Sequence, residues 1–247
     1  MVQILYANQT PTMGAGGPFQ IRRIRPGKAA ASSRLDGAFG PLSVVDHATL
    51  RANNTVPMHE HRNDEILSYF ISGKIAHLDS SGAVNALSRN VLMLMNAGSG
   101  FSHEETNMEE TLEALQIFVR PQEQDLPPGV QFYARPADYA NGTWQFIAGP
   151  EGSGAPLIFR NQVMMYDIHA REGEELRIPE AEGMSPFVYI MRGSVEVEGH
   201  ALAKGDGFIV DDDDAPPILR TDSPVIIVVF LVDRKAKAST SGTISGW

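Results

Sequence analysis

The chain has 247 residues, 43% hydrophobic and 20% charged, which places it among globular proteins with a substantial core and excludes a disordered chain. Its net charge of −10 repels phosphate backbones, and the densest basic stretch (Arg22, Arg23, Arg25, Lys28) is too short for a nucleic-acid footprint and reads as decoration on an edge strand. With no cysteine, disulfides, thiolate metal sites and cysteine nucleophiles are excluded, so any metal must be held by His, Asp or Glu.

In chain order, Met1 to Thr12 lacks a basic segment followed by an apolar one, so no secretory signal is expected. No apolar run is long enough to span a bilayer. The expectation is a cytoplasmic protein without a membrane partner. Short β-type runs then come in two sets. The first is Leu42–Val45, Glu65–Ile71, Lys74–Leu78, Val91–Met95 and Leu112–Val119. The second is Gln162–Ile168, Phe187–Met191, Ser194–Glu198, Gly207–Val210 and Val225–Val232. Turn residues separate them, as at Ser72-Gly73, Asn96-Ala97-Gly98 and Arg192-Gly193. Many short strands with regular turns predict a sandwich or barrel. Long amphipathic helices are missing, and the sequence leaves room only for short helical segments near Pro136–Tyr139.

The two sets read as copies of one unit. Tyr69–Asp79 (YFISGKIAHLD) is similar to Tyr189–Gly199 (YIMRGSVEVEG) at an offset of 120 residues, and Val91–Gly100 parallels Gly207–Pro216. The spacing predicts a first domain over 1–130 and a second over 131–247. The Pro- and aromatic-rich segment Pro121–Pro156 is expected to pack as an ordered linker over both. The Ser/Thr/Ala/Lys/Gly-rich tail, about 235–247, is expected to be mobile unless Trp247 docks.

The chemistry concentrates in Pro57–Gly73 (PMHEHRNDEILSYFISG) and Ala97–Glu105 (AGSGFSHEE). On a strand, His59 and His61 point to the same face with Cα atoms about 7 Å apart. Glu65 shares that face if the strand continues. Gly98 and Gly100 permit a tight turn before His103, and Glu105 repeats the two-residue spacing beyond it. Three imidazoles and a carboxylate suit a redox-capable divalent ion with positions left for water, dioxygen or substrate. His47 is read as a structural histidine near a barrel mouth, His77 as a half-exposed strand residue, and His169 and His200 as isolated. The second unit has no such histidine pattern and is expected to hold no metal. Asp211–Asp214 lacks the alternating oxygen ligands and closing glutamate of a calcium loop and reads as a solvated loop.

These residues resemble the cupin superfamily and, within it, the pirin family. The similar blocks are Met58-His59-Glu60-His61-Arg62-Asn63-Asp64-Glu65, the hairpin Asp79-Ser80-Ser81-Gly82, Gly98-Ser99-Gly100-Phe101-Ser102-His103-Glu104-Glu105, Leu115-Gln116-Ile117-Phe118, and Asp46-His47 upstream. The similarity runs from about residue 20 to 232. It implies an all-β bicupin, two similar antiparallel β-barrels (double-stranded β-helices) packed face to face, with one divalent metal ion in the first. In pirins the ligands are the residues matching His59, His61, His103 and Glu105; in ordinary cupins the residue matching Glu65 replaces the last. The chain departs from the pirin pattern at Met58, Glu60 and Asn63-Asp64, and at Arg89-Asn90 before the third block, which alters the cavity mouth.

The resemblance implies Fe(II) as the first choice of metal, with Ni, Cu, Mn or Zn as alternatives. It implies a dioxygenase acting on a flavonol such as quercetin, a small aromatic substrate whose hydroxyl proton Glu65 or Glu105 would accept. The alternative is a metal-dependent redox-sensing module with a protein partner, and a third reading is another cupin reaction such as isomerisation or decarboxylation. A monomer is expected, since a bicupin buries one barrel face internally.

Overall fold

The computed structural model describes residues 1–29, 36–210 and 214–246. Most of the acidic run Asp211–Asp214, and Trp247, therefore lie outside the described residues. Among the described residues the chain is nearly all β, with two short 3-10 turns at Ala7–Gln9 and Pro26–Ala29. The short helix considered near Pro136–Tyr139 is a turn closed by the Tyr139 amide on the Pro136 carbonyl at 3.2 Å, and Asn141-Gly142 just beyond it are turn residues that do not extend a helix.

The strands curl into two antiparallel units, giving the double-barrel architecture the sequence predicts. In the first half, Leu112–Val119 runs between Leu42–Leu50 and Glu65–Ser72. Its residues alternate as a pleat requires. Leu112, Ala114 and Gln116 line the interior of the first barrel. Glu113 turns the other way and meets Lys204 of the second half at 2.5 Å. In the second half Val225–Val232 is buried on both faces. Val225, Ile227, Val229 and Leu231 fill that barrel's interior, while Ile226, Val228, Phe230 and Val232 join a core that also contains Val44, Tyr69 and Leu115 of the first half. A strand covered on both sides explains why this run is apolar throughout instead of alternating.

The internal repeat is visible in the turns and in the contact between halves. Gly73 and Gly193 each close the equivalent hairpin at φ 80° and 78°, a left-handed conformation that favours glycine. Tyr69 and Tyr189, both fully buried, send their hydroxyls into the opposite half. Tyr69 donates to Asp167 at 2.7 Å, and Tyr189 meets His47 at 2.8 Å. His47 and Asp167 are themselves 120 residues apart, so the two phenols are repeat-related bolts with different partners.

The chain ends cross the division expected at 130/131. Val2–Leu5 pairs with Gly207–Val210, and Val2 packs in the second half's interior. Gly129–Ala134 instead extends the first half by pairing with Val91–Asn96, and Gln145–Pro150 pairs with Val163–Ala170, so much of the supposed linker is sheet. The tail expected to be mobile is docked on the first half: the Ser239 amide donates to the Pro121 carbonyl at 2.8 Å, the Thr243 amide to that of Arg62 at 3.0 Å, and Ser245 is fully buried. Its small polar residues are hydrogen-bonding groups matched to backbone carbonyls, which composition alone reads as disorder. The basic stretch likewise turns inward. Phe19–Ile24 is flanked on both sides by strands, Arg22 donates to Tyr189 at 2.6 Å, and Arg23 forms a two-pronged pair with Asp46 at 2.9 and 2.7 Å. Among the described residues no helix is long and apolar enough to cross a membrane.

Candidate metal centre

His59 and His61 lie at the end of the strand Asn54–His61, which pairs antiparallel with Phe101–Asn107. His59 stands directly opposite His103, and His61 opposite Phe101. The register then slips, with Glu105 opposite Val56, so the histidine strand carries one extra residue between Val56 and His59. Bulges of this kind bend a strand and re-aim its side chains. The three rings converge, with centroids 4.4 Å apart for His59 and His103, 4.9 Å for His59 and His61, and 5.2 Å for His61 and His103. One ring nitrogen from each lies within 4.8 Å of the other two.

The hydrogen bonds leave the same nitrogen open on all three rings. Nδ1 of His59 lies 2.8 Å from the Pro57 carbonyl, which can only accept. Nδ1 of His61 lies 3.1 Å from Asp64, and Nδ1 of His103 lies 3.1 Å from Nε2 of His77. A neutral imidazole carries one N–H and one lone pair. With the proton on Nδ1, each ring presents a lone pair at Nε2. Burial, together with the surrounding imidazoles, drops the pKa of His103 to about 2, and burial lowers that of His59, so these rings stay neutral near pH 7. Nε2 of His103 is buried and has no protein partner, a costly arrangement unless something occupies the space before it. Three imidazoles whose Nδ1 atoms are engaged and which each bring a ring nitrogen within 4.8 Å of the others form a donor set that fits a divalent transition ion.

Glu105 faces inward beside this group but outside the set of three. Its Oε1 is 3.9 Å from Nδ1 of His103, and both its oxygens accept from the Gln116 amide, at 3.2 and 3.1 Å. Burial pushes its pKa up to about 7, against the opposing bond from Gln116. Next to it is a small, mostly apolar cavity walled by Phe19, Leu50, Val56, Phe70 and Ala114, in which Ser68 Oγ lacks a partner.

Glu65 is elsewhere, because the strand does not continue. Asn63 adopts φ 53°, and a new strand begins at Glu65. That break inverts the pleat, so Glu65 shares a face with Tyr69 while Ser68 and Phe70 line the barrel. Its Oε2 accepts from Asn96 at 2.6 Å and from the Arg160 amide at 2.8 Å, and burial pushes its pKa up to about 7. The expected proximity of Glu65 to the imidazoles is thereby corrected. His77, expected half-exposed, is fully buried behind His103. Ile75, His77 and Asp79 form the inward set of a strand paired with the His103 strand, a placement the sequence KIAHLD does not signal because Ala76 and Leu78 are its apolar alternates. His47 bridges Tyr189 and Glu113 at the contact between halves, and His169 lies 3.6 Å from Asp167. The interior of the second barrel is packed with Ile227, Val229, Phe208 and Leu219. A wider cavity, about 540 Å³, lies in the second half beside His169, Arg171 and Arg192 and includes none of the clustered imidazoles.

Comparison with known proteins gives a consistent pattern. Residues 21–119 match the family model described as Pirin, and residues 146–230 match the one described as Quercetinase C-terminal cupin domain. Quercetin 2,3-dioxygenase of Escherichia coli strain K12 is 26% identical over 194 residues, covering 78% of this chain and 82% of the relative. A pirin-like protein of Caulobacter vibrioides is 26% identical over 193 residues, covering 77% and 83%. Among solved structures, YhhW from Escherichia coli superposes with a TM-score of 0.80 at 22% identity, covering 94% of this chain and 97% of that one. The structure of bacterial pirin YhhW in complex with nickel(II) gives 0.79 at 21% identity, covering 94% and 99%.

Proposed function

The chain belongs to the pirin family, and on that premise we propose that its first barrel binds one divalent metal ion, iron(II), and catalyses dioxygenation of a flavonol such as quercetin. The observation that carries the proposal is the convergence of three imidazoles whose Nδ1 atoms are all engaged, with Nε2 of His103 buried and unpartnered. His59, His61 and His103 would hold the ion, and Glu105 would complete the set by a change of side-chain conformation or act beside it. When bound, such an ion supplies Lewis acidity toward the substrate hydroxyl and the redox capacity that dioxygen chemistry requires.

The chain's own groups supply the remainder. Glu105, buried beside the imidazoles, would accept the hydroxyl proton at a carboxylate oxygen, since a cation bound next to it would keep the carboxylate ionised against its burial. Gln116 fixes the orientation of that carboxylate through its amide. Phe70, Leu50 and Ala114 wall the Glu105 carboxylate with apolar groups and keep water from it; the space they enclose, about 10 Å³, is too small for an aromatic ring, so a flavonol would have to reach the imidazoles from outside it. Glu65, tied to Asn96 and Arg160 away from the imidazoles, takes no part in this scheme.

The test is to load purified protein with iron(II) and add quercetin, following oxygen uptake and the loss of flavonol absorbance. His59→Ala serves as the matched control, and elemental analysis reports occupancy. Activity in the loaded protein that disappears in the variant supports the proposal. A fully occupied protein that neither consumes oxygen nor bleaches quercetin would remove the dioxygenase reading and leave a metal-binding one.

A further inference from the structure

We infer that the C-terminal tail is a positioning element for the metal centre, holding the His61 imidazole through the buried carboxylate of Asp64. The inference rests on the reading of His61 as a metal ligand. Asp64 is fully buried and lies three residues beyond His61, immediately after the left-handed Asn63 that breaks the strand. Its Oδ2 faces Nδ1 of His61 at 3.1 Å and the Ile244 amide at 3.1 Å. Its Oδ1 accepts from the Ser245 amide at 3.0 Å and the Ser245 hydroxyl at 2.7 Å. Residues about 180 positions away in sequence therefore supply three of the four donors described around the one side chain that orients His61.

The tail is itself fixed on the first barrel, so it can transmit position. The Ser245 carbonyl accepts from the Arg120 Nε at 2.6 Å and from the Ser43 hydroxyl at 2.7 Å, both fully buried groups. Thr243 and Arg62 exchange bonds, amide to carbonyl at 3.0 Å and amide to hydroxyl at 2.8 Å. Gly242 lies so close that a Cβ there would stand 2.4 Å from Asp64 Oδ1 and 2.1 Å from Ser245 Oγ. No side chain larger than hydrogen fits without displacing the carboxylate or the serine.

The physical consequence concerns the His61 ring. A carboxylate fixed on two oxygens by the tail can only accept from His61, so it sets the Nδ1–H tautomer and the ring plane, leaving Nε2 as the lone pair. Without the tail, Asp64 loses its three other described donors, is exposed to water, and no longer holds the ring in one orientation. Asp64 and Ser245 are thus positioning residues, and metal binding and tail docking must be coupled. By reciprocity, whatever factor the docked tail adds to metal affinity, the metal adds to tail docking.

The experiment uses zinc(II) as a diamagnetic probe on metal-free protein. Three variants are titrated beside the wild type: truncation after Ala238, Gly242→Ala, and Leu219→Ala. The last loosens the second half's interior without touching the tail and so controls for general destabilisation. Truncation and Gly242→Ala are expected to weaken zinc affinity by about tenfold or more, and Leu219→Ala to leave it unchanged. In the full chain, hydrogen exchange at the Ile244 and Ser245 amides is expected to slow by a similar factor on zinc binding. Equal affinity in the truncated chain, or exchange at those amides indifferent to zinc, overturns the inference while leaving the metal site intact. Failure of the full chain itself to bind zinc would instead remove the metal site, and this inference with it.

Discussion

His77 shows how much one buried side chain can decide. It has no exposed surface, and its Nε2 is 3.1 Å from Nδ1 of His103. If His103 offers Nε2 to a metal, its Nδ1 must donate, so His77 must accept at Nε2 and carry its own proton at Nδ1. Replacing His77 by Phe removes that acceptor. Metal affinity should fall about 10- to 100-fold, with partial recovery in His77→Gln, as measured by competition titration of the metal-free protein. Glu65 gives a second test at this scale. Its folded pKa of about 7 lies above the ordinary 4.5 because burial disfavours the charge. The folded state therefore holds the proton more tightly than the unfolded state between those values. Stability falls as pH rises through that window and is fully reduced above it, by a contribution on the order of 3 kcal/mol. Glu65→Gln keeps an oxygen for Asn96 and Arg160 without the charge. The variant should gain on the wild type progressively from pH 4.5 to above 7 in urea unfolding, and parallel pH curves for the two proteins would refute this account. Of these residues, His59, His61 and His103 were legible in the sequence from spacing and glycine punctuation. His77 was undervalued because a lone strand histidine shows nothing about what packs across from it.

The short element Arg62–Asp64 accounts for the misplacement of Glu65. Two-residue periodicity places Glu65 with His59 and His61 only while the backbone stays extended, and Asn63 at φ 53° ends that. Asparagine is among the few residues that adopt this conformation readily, and here its side chain also binds Asp125, accepting from the amide at 2.7 Å. Asn63→Gly should keep the turn and lose that bond, at a cost of about 1 kcal/mol. Asn63→Val should cost about 2–3 kcal/mol, since a β-branched residue strains this region and the same bond is lost. Chemical denaturation of both variants measures the difference; equal stabilities would mean that the turn imposes no strain. The strand Val225–Val232 illustrates the opposite case. Its unbroken apolar run fits a buried strand, and the structure assigns alternate residues to two separate clusters, one on each face.

Across the whole molecule, the two halves share a core and exchange their chain ends. Phe230 and Val228 pack with Val44 and Tyr69 in one cluster, Val2–Leu5 completes the second half's sheet, and the tail completes the first. A fragment ending at Ala134 would lose both the tail and the apolar partner face. It should be poorly folded or aggregate, with a broad, non-cooperative thermal transition, whereas the full chain is expected to unfold as one cooperative unit when both are followed by calorimetry. Independent cooperative folding of the fragment would show that the shared core is dispensable. By itself the sequence determined the all-β class, the doubled unit and the three clustering histidines, because these depend on periodicity, repetition and spacing along the chain. Tertiary structure alone decided that Glu65 turns away, that His77 stands behind His103, and that Ser245 backs His61 through Asp64. Those relations join residues distant in sequence across a bulge, a strand pairing and a docked tail, where no local pattern records which side chain will lie opposite another.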